Sequence, residues 1–262
     1  MNYWEASRPT YIENWPREMH SLSVASIDVP LNAGDARRLG SNIAELGGAF
    51  YKDGKSRSWV PSDISDIRTR VAEAVASMPN GAFVRLGSRS PKDSWEAHRR
   101  GSLKTTAKDD PLEFILDCSE RIYEDLSLAI QHEYAPHIWV RQWVDIPRWA
   151  EFRCFMKDRR LVGISQYNYL EGEEFPEIIQ NHGTIRWVIE EQFFPSFRDA
   201  SHLDSVVFDV FLKTWTARDN TRVWESKLLE VNPFFVLTDP CLFGWNEPFG
   251  GEFRFNSKLT KF

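Results

Sequence analysis

Hydrophobic positions recur along this chain with two periods. Ile64, Ile67, Val71, Val75 and Met78 stand three or four residues apart and predict an amphipathic helix, opened by Ser62 after Pro61. Asp110-Pro111-Leu112-Glu113 has the chemistry of a helix start: a capping acid, proline in the first turn and Glu three residues after the cap. Leu112, Ile115, Leu116, Ile122, Leu126 and Ile130 then supply its buried face. SIDVPL at 26–31 reads as a strand, followed by a helix running to Leu46 and closed by Gly47 and Gly48. GAFVRL at 81–86 and HIWVRQW at 137–143 read as strands, and AEFRCFMK and LVGISQY as a hairpin about Asp158-Arg159-Arg160. Residues 176–200 predict partial helix interrupted by Pro195; SVVFDVFL at 205–212 and the segment 226–231 predict two last strands joined by TARDNT. The order is an α/β part followed by an antiparallel α+β part, with the boundary expected near Tyr134 to His137, dividing 1–136 from 137–262.

Composition narrows the class. The 262 residues, 42% hydrophobic and 27% charged, are ordinary for a globular chain. Eleven Trp and 18 Phe point to a core of large flat side chains. Cys118, Cys154 and Cys241 are odd in number and far apart, without a CxxC pair, so reduced thiols in a cytoplasmic protein are expected. Neither a signal sequence nor an apolar run of about 18 residues occurs, so no membrane association is expected. A net charge of -6 disfavours RNA as a partner. Within Arg85 to Lys108, however, seven basic residues (Arg85, Arg89, Lys92, Arg99, Arg100, Lys104 and Lys108) face two acids (Asp93 and Glu96), which fits a confined anion site.

The candidate chemistry lies on the last strands. In LLEVNPFF, period-2 alternation sends Glu230 and Asn232 to one face, and Asp209 sits in the middle of VVFDVF, where an unpaired charge is expensive to bury. Two readings stay open. The three oxygens hold a hard cation such as Mg²⁺, or Asp209 pairs with an arginine while Glu230 and Asn232 satisfy a turn. Glu151 and Arg153 likewise share a face, as a cross-strand ion pair or as an arginine reaching a phosphate beside a supporting acid. The fingerprints of a P-loop, a dinucleotide fold, a GxSxG hydrolase and an HExxH metalloprotease are all absent.

FVRLGSRSPKDSW, GSLKTTAKDDPLEFI, WVRQWVDIPRWAEFRCFMKDRRLVGISQYNY, VVFDVF and LLEVNPFFVLTD stand in the order seen in the cell division cycle protein 123 family, which the chain resembles from about Trp15 to Trp245. That resemblance implies an α+β, two-lobed ATP-grasp fold with the nucleotide in the cleft between lobes, and ATP and Mg²⁺ as cofactors. It implies that Arg85 and Lys104 contact phosphates, that Arg141, Gln142 and Trp143 border the adenine, that Arg153 stands near the terminal phosphates, and that Asp209, Glu230 and Asn232 hold the metal. Departures are Arg85 in place of Lys, Glu230 in place of Asp, Ser88 in place of Trp, and Tyr167-Asn168 in place of an Arg-Asp pair. The longer eukaryotic members' acidic tail has no counterpart here.

These departures lead to the expectation of an ATP-dependent ligase acting through an acyl-phosphate intermediate on a small-molecule or peptide acceptor, with Arg153 and Lys104 as catalytic residues. The alternative is an ATP-dependent assembly chaperone with a protein client, the γ subunit of translation initiation factor two or a similar partner. A nucleotide-stabilised scaffold is the third reading.

Overall fold

A computed structural model describes residues 2–43, 62–117, 119–217 and 222–257. The chain forms two compact units, Ala25–Val144 and, from two segments, Met1–Val24 with Asp145–Phe262. The expected division at 136/137 differs from this one. It would cut the strand His137–Gln142 away from the two neighbours with which it pairs.

The unit Ala25–Val144 is built on β1 (Ser26–Pro30), β2 (Ala82–Leu86), β3 (Lys104–Thr105) and β4 (His137–Gln142), in the order β1-β4-β2-β3 and antiparallel throughout. Alternation sends Val29, Val84, Leu86, Ile138 and Val140 to one face, where the helices Ala33–Gly40, Ser65–Ala76 and Glu120–Gln131 bury Leu39, Ile67, Val71, Ile122 and Leu126 against them.

Three helix boundaries differ from expectation. Ala33–Gly40 opens on a capping box of Asn32 and Asp35 and ends six residues before Leu46, which with Gly47 and Gly48 lies outside the described residues. Ser65–Ala76 takes its first side-chain acceptor from Asp63, whose Oδ1 receives the Ser65 N–H at 2.9 Å; Ser62 instead bonds Ser41. The predicted helix after Asp110 is two, Glu113–Leu116 and Glu120–Gln131. Asp110 does open the first by accepting from Leu112 N at 3.0 Å, and Ser119 restarts the second by capping Ile122. The chain breaks at Asp117, whose carboxylate accepts the Glu96 N–H.

The second unit carries β5 (Glu151–Lys157), β6 (Arg160–Gln166), β7 (Val206–Thr216), β8 (Arg222–Pro233) and β9 (Glu252–Arg254), in the order β8-β7-β5-β6-β9. All neighbours are antiparallel except β9 on β6. The β5–β6 turn is two residues, not three: Asp158 and Arg159 both have positive φ (49° and 60°), as a type I′ hairpin turn requires, and Arg160 already pairs with Lys157. Pro195 does not interrupt the helical run. Pro176–Trp187 passes through a π-helical stretch, Val188–Phe193, into Phe194–Ala200, with Pro195 in the first turn of the last piece, where its missing N–H costs little. That run presents Phe193, Phe194 and Phe197 to Phe208 on one sheet face, the Phe197 and Phe208 ring centroids 4.0 Å apart. On the other face Phe234, Phe243, Trp245 and Phe249 gather with Phe155 and Val207. Gly163 is required beneath them, since a Cβ there would stand 2.8 Å from the Phe243 ring.

Candidate functional site

In the sheet of β5–β9, Arg153 lies opposite Asp209, and Asp209 opposite Glu230, so three charged residues form one row across adjacent strands. Asn232, two residues beyond Glu230 and opposite Val207, shares their face. A bulge makes this possible. Asp209 pairs with Glu230 but Val210 pairs with Leu228, so Leu229 is extra and Leu228 turns to the core face, fully buried.

Arg153 and Asp209 are both almost wholly buried and joined bidentately, with Nε donating to Oδ1 and Nη2 to Oδ2, each at 2.8 Å. Arg153 Nη1 donates to the Asp239 carbonyl oxygen at 2.7 Å, and the Tyr167 ring centroid stands 4.9 Å from the guanidinium carbon. Of the five N–H groups of a guanidinium, three are used in these bonds, and among the described residues the other two have no acceptor. Burial disfavours the Arg153 charge, but Asp209 holds its pKa well above the usual range. Burial, followed by the Asp209 charge, pushes the Tyr167 hydroxyl up, and burial pushes the Cys241 thiol up to about 12.

The arginine-pair reading of Asp209 is therefore observed, and Arg153 is the partner. Arg153 takes two of the about four lone-pair sites of that carboxylate. Among the described residues no three His, Cys, Asp or Glu side chains cluster as a metal site, so any cation here rests on two carboxylates and the Asn232 amide. The Asn232 side-chain nitrogen is buried without a hydrogen-bond partner. That nitrogen is a donor and ligates no cation; the amide oxygen of Asn232 is the atom that would hold a hard cation, with Asp209 and Glu230 on the same sheet face.

In the unit Ala25–Val144, register places Phe83, Arg85, Lys104, Trp139 and Arg141 on the sheet face opposite the helices. Arg85 and Arg141 are each only 3% exposed. Gln142 projects to the other face of β4, beside Ala82 and Thr105, and Trp143 follows the strand with its N–H on the Gly81 carbonyl at 3.0 Å. Thus three expected cations come together, while Gln142 does not join them. Gly81, at φ +86°, lies under the Lys104 stem, where a Cβ would stand 2.8 Å from Lys104 Cε.

Much of the basic segment's charge is spent locally. Arg100 pairs with Glu96, Asp109 and Glu113, Arg99 with Glu96, and Arg89 with Asp125 and Glu124. Hydrogen bonds from Arg99, and then Arg100, hold the Glu96 carboxyl at about 2. Asp125 moves the other way, its pKa raised by burial despite Arg89.

Sequence reasoning missed Asp239, Tyr169 and Asn256. Tyr169 Oη donates to the Asp239 carboxylate at 3.1 Å, and the Asn256 amide nitrogen donates to the carbonyl oxygens of Tyr169 at 2.9 Å and Glu173 at 3.2 Å. Their partners are 70 to 87 residues away in sequence, and no local pattern marks them.

A family model described as D123 matches residues 50–257. The translation initiation factor eIF2 assembly protein of Botryotinia fuckeliana is 32% identical over 201 residues, covering 71% of this chain and 46% of that protein. The protein of the same name from Xenopus laevis is 25% identical over 220 residues (79% and 60%), and cell division cycle protein 123 of Eremothecium gossypii 29% over 208 residues (73% and 54%). The chain thus spans about half the length of the curated relatives it matches. Among solved structures, Cdc123 from Schizosaccharomyces pombe shares the fold with a TM-score of 0.70, at 20% identity over 94% of this chain and 91% of that one. The match over most of its length shows that the chain belongs to the D123 family. These relatives overturn the expected acyl-phosphate ligase: those named by role are eIF2 assembly proteins.

Proposed function

We propose, starting from membership of the D123 family, that this chain is an assembly factor for a translation initiation factor of the eIF2 kind, with a γ-like subunit as its protein client, and that it binds Mg²⁺-ATP. The names of its relatives support the client, and the fold shared with Cdc123 supports a nucleotide. The single observation that carries the nucleotide reading is the row Arg153, Asp209 and Glu230, its arginine and aspartate buried, with Asn232 on the same sheet face. In this reading Asp209, Glu230 and Asn232 hold the cation, and Arg153 presents its two remaining N–H groups to terminal phosphate oxygens. On the sheet of their own unit, Arg85 and Lys104 serve as phosphate-contacting cations and Arg141 and Trp143 as neighbours of the base, while Gln142, on the other face of β4, takes no part. When bound, Mg²⁺-ATP supplies compact charge that orders these side chains. Arg153 and Lys104 act here as binding groups.

The test immobilises a eukaryotic eIF2 γ subunit and measures capture of the full chain with Mg²⁺-ATP, with ATP and EDTA, and without nucleotide. Capture is expected to be strongest with Mg²⁺-ATP and to fall with Asp209→Asn. Equal absence of capture in all three conditions would remove the client, and absence of any Mg²⁺-ATP-dependent rise in melting temperature would remove the nucleotide.

A further inference from the structure

The Arg153 guanidinium is held from two directions. Asp209 fixes its Nε and Nη2, and the Asp239 carbonyl fixes Nη1 at 2.7 Å. Asp239 is itself a loop residue, and what keeps its backbone in place is its carboxylate. Oδ1 accepts the Cys241 N–H at 2.9 Å, closing a local turn in which Cys241 has a positive φ of 52°, and both oxygens face the Tyr169 hydroxyl, at 3.1 and 3.3 Å. Tyr169 in turn lies on a loop that the end of the described chain ties down. Asn256 donates its side-chain amide to the Tyr169 and Glu173 carbonyls and its backbone N–H to Gln166 Oε1 at 3.1 Å, while Gln166 Nε2 donates to the Asn168 and Glu173 carbonyls.

Asn256 is seated by β9, a three-residue strand pairing in parallel with β6, and by Phe253 and Phe255. Phe253 packs edge-on against Phe152 at 5.7 Å, and Phe255 stacks on His182 at 5.7 Å. A continuous chain of contacts therefore runs from β9 through Asn256, Tyr169 and Asp239 to Arg153.

We propose that the segment Glu252–Asn256 is a strap that sets the position of the Arg153 guanidinium through Tyr169 and Asp239, making these three positioning residues for the phosphate end of the nucleotide. The inference rests on the nucleotide reading above. A short parallel edge strand is the weakest-held element of this sheet, so whatever lifts it loosens the grip on the terminal phosphates without touching the charged row. The strap thereby couples the state of the C-terminal segment to discrimination between ATP and AMP, because Arg153 serves only the outer phosphates.

Titration of the full chain with Mg²⁺-ATP and with AMP tests this, using wild type, Tyr169→Phe, Asn256→Ala and the double variant. Tyr169→Phe removes one hydroxyl and keeps the ring. Each single variant is expected to weaken Mg²⁺-ATP roughly three- to tenfold, with AMP unchanged, and the double variant to be no weaker than the worse single one, since both act through one chain of contacts. Loss of melting temperature with an unchanged ATP-to-AMP ratio would make the residues merely structural and overturn the strap. Additive losses would overturn the single route. If wild type binds neither nucleotide, the failure belongs to the nucleotide reading; if wild type binds and the variants match it, it belongs to the strap.

Discussion

Asp209 is 1% exposed, and both of its oxygens stand 2.8 Å from one guanidinium. A buried pair of this kind contributes little net stability, but breaking it leaves a stranded charge. Asp209→Asn is therefore expected to destabilise the second unit by about 3–5 kcal/mol, read from urea unfolding. The residue's cost of burial was legible in VVFDVF, and Arg153 was legible as a candidate. That each is the other's partner was not, because alternation assigns a face and pairing requires register between strands 56 residues apart. Glu96 offers a pH test in the other unit. Its folded pKa is held at about 2 against an ordinary 4.5, chiefly by Arg99, so its contribution is present above 4.5 and lost as pH falls toward 2. The difference in urea midpoint between wild type and Glu96→Gln should be largest at neutral pH and shrink through that window.

At the scale of elements, the hydrophobic periods located seven of the nine strands of the described residues. The exceptions are the two-residue β3 and β9. In β9, Glu252-Phe253-Arg254 repeats the tripeptide of β5, and three residues carry too little pattern to be read as a strand. Where elements end or bend was less legible. The β8 bulge turns Leu228 away from Glu230 and Asn232, although strict alternation would set all three on one face. The π-helical stretch likewise changes the helical register before Phe194, a shift no 3.6-residue period contains. Its product is the stack on Phe208. Phe197→Ala is expected to cost about 3–5 kcal/mol in unfolding free energy, because both rings are fully buried and the cavity lies between sheet and helix.

For the whole molecule, net charge and hydropathy set expectations about partners without identifying one. Among the described residues no helix is long and apolar enough to cross a membrane. The proposed nucleotide reading predicts a saturable rise in melting temperature with Mg²⁺-ATP, equivalent to about 2.7 kcal/mol at 100 times Kd. Differential scanning fluorimetry of wild type against Asp209→Asn measures it, and no rise in wild type would reject the site. The sequence by itself determined the α+β class, most of the strands and helices, and the residues too polar for their surroundings, because these follow from local periodicity and desolvation cost. Only the tertiary structure decided that the unit boundaries fall after Val24 and Val144 and that Asp239, Tyr169 and Asn256 stand behind Arg153. It also decided that the basic segment is largely neutralised by its own acids. Each of these depends on which distant segments come to lie side by side, a property of strand pairing and loop closure rather than of any local run of residues.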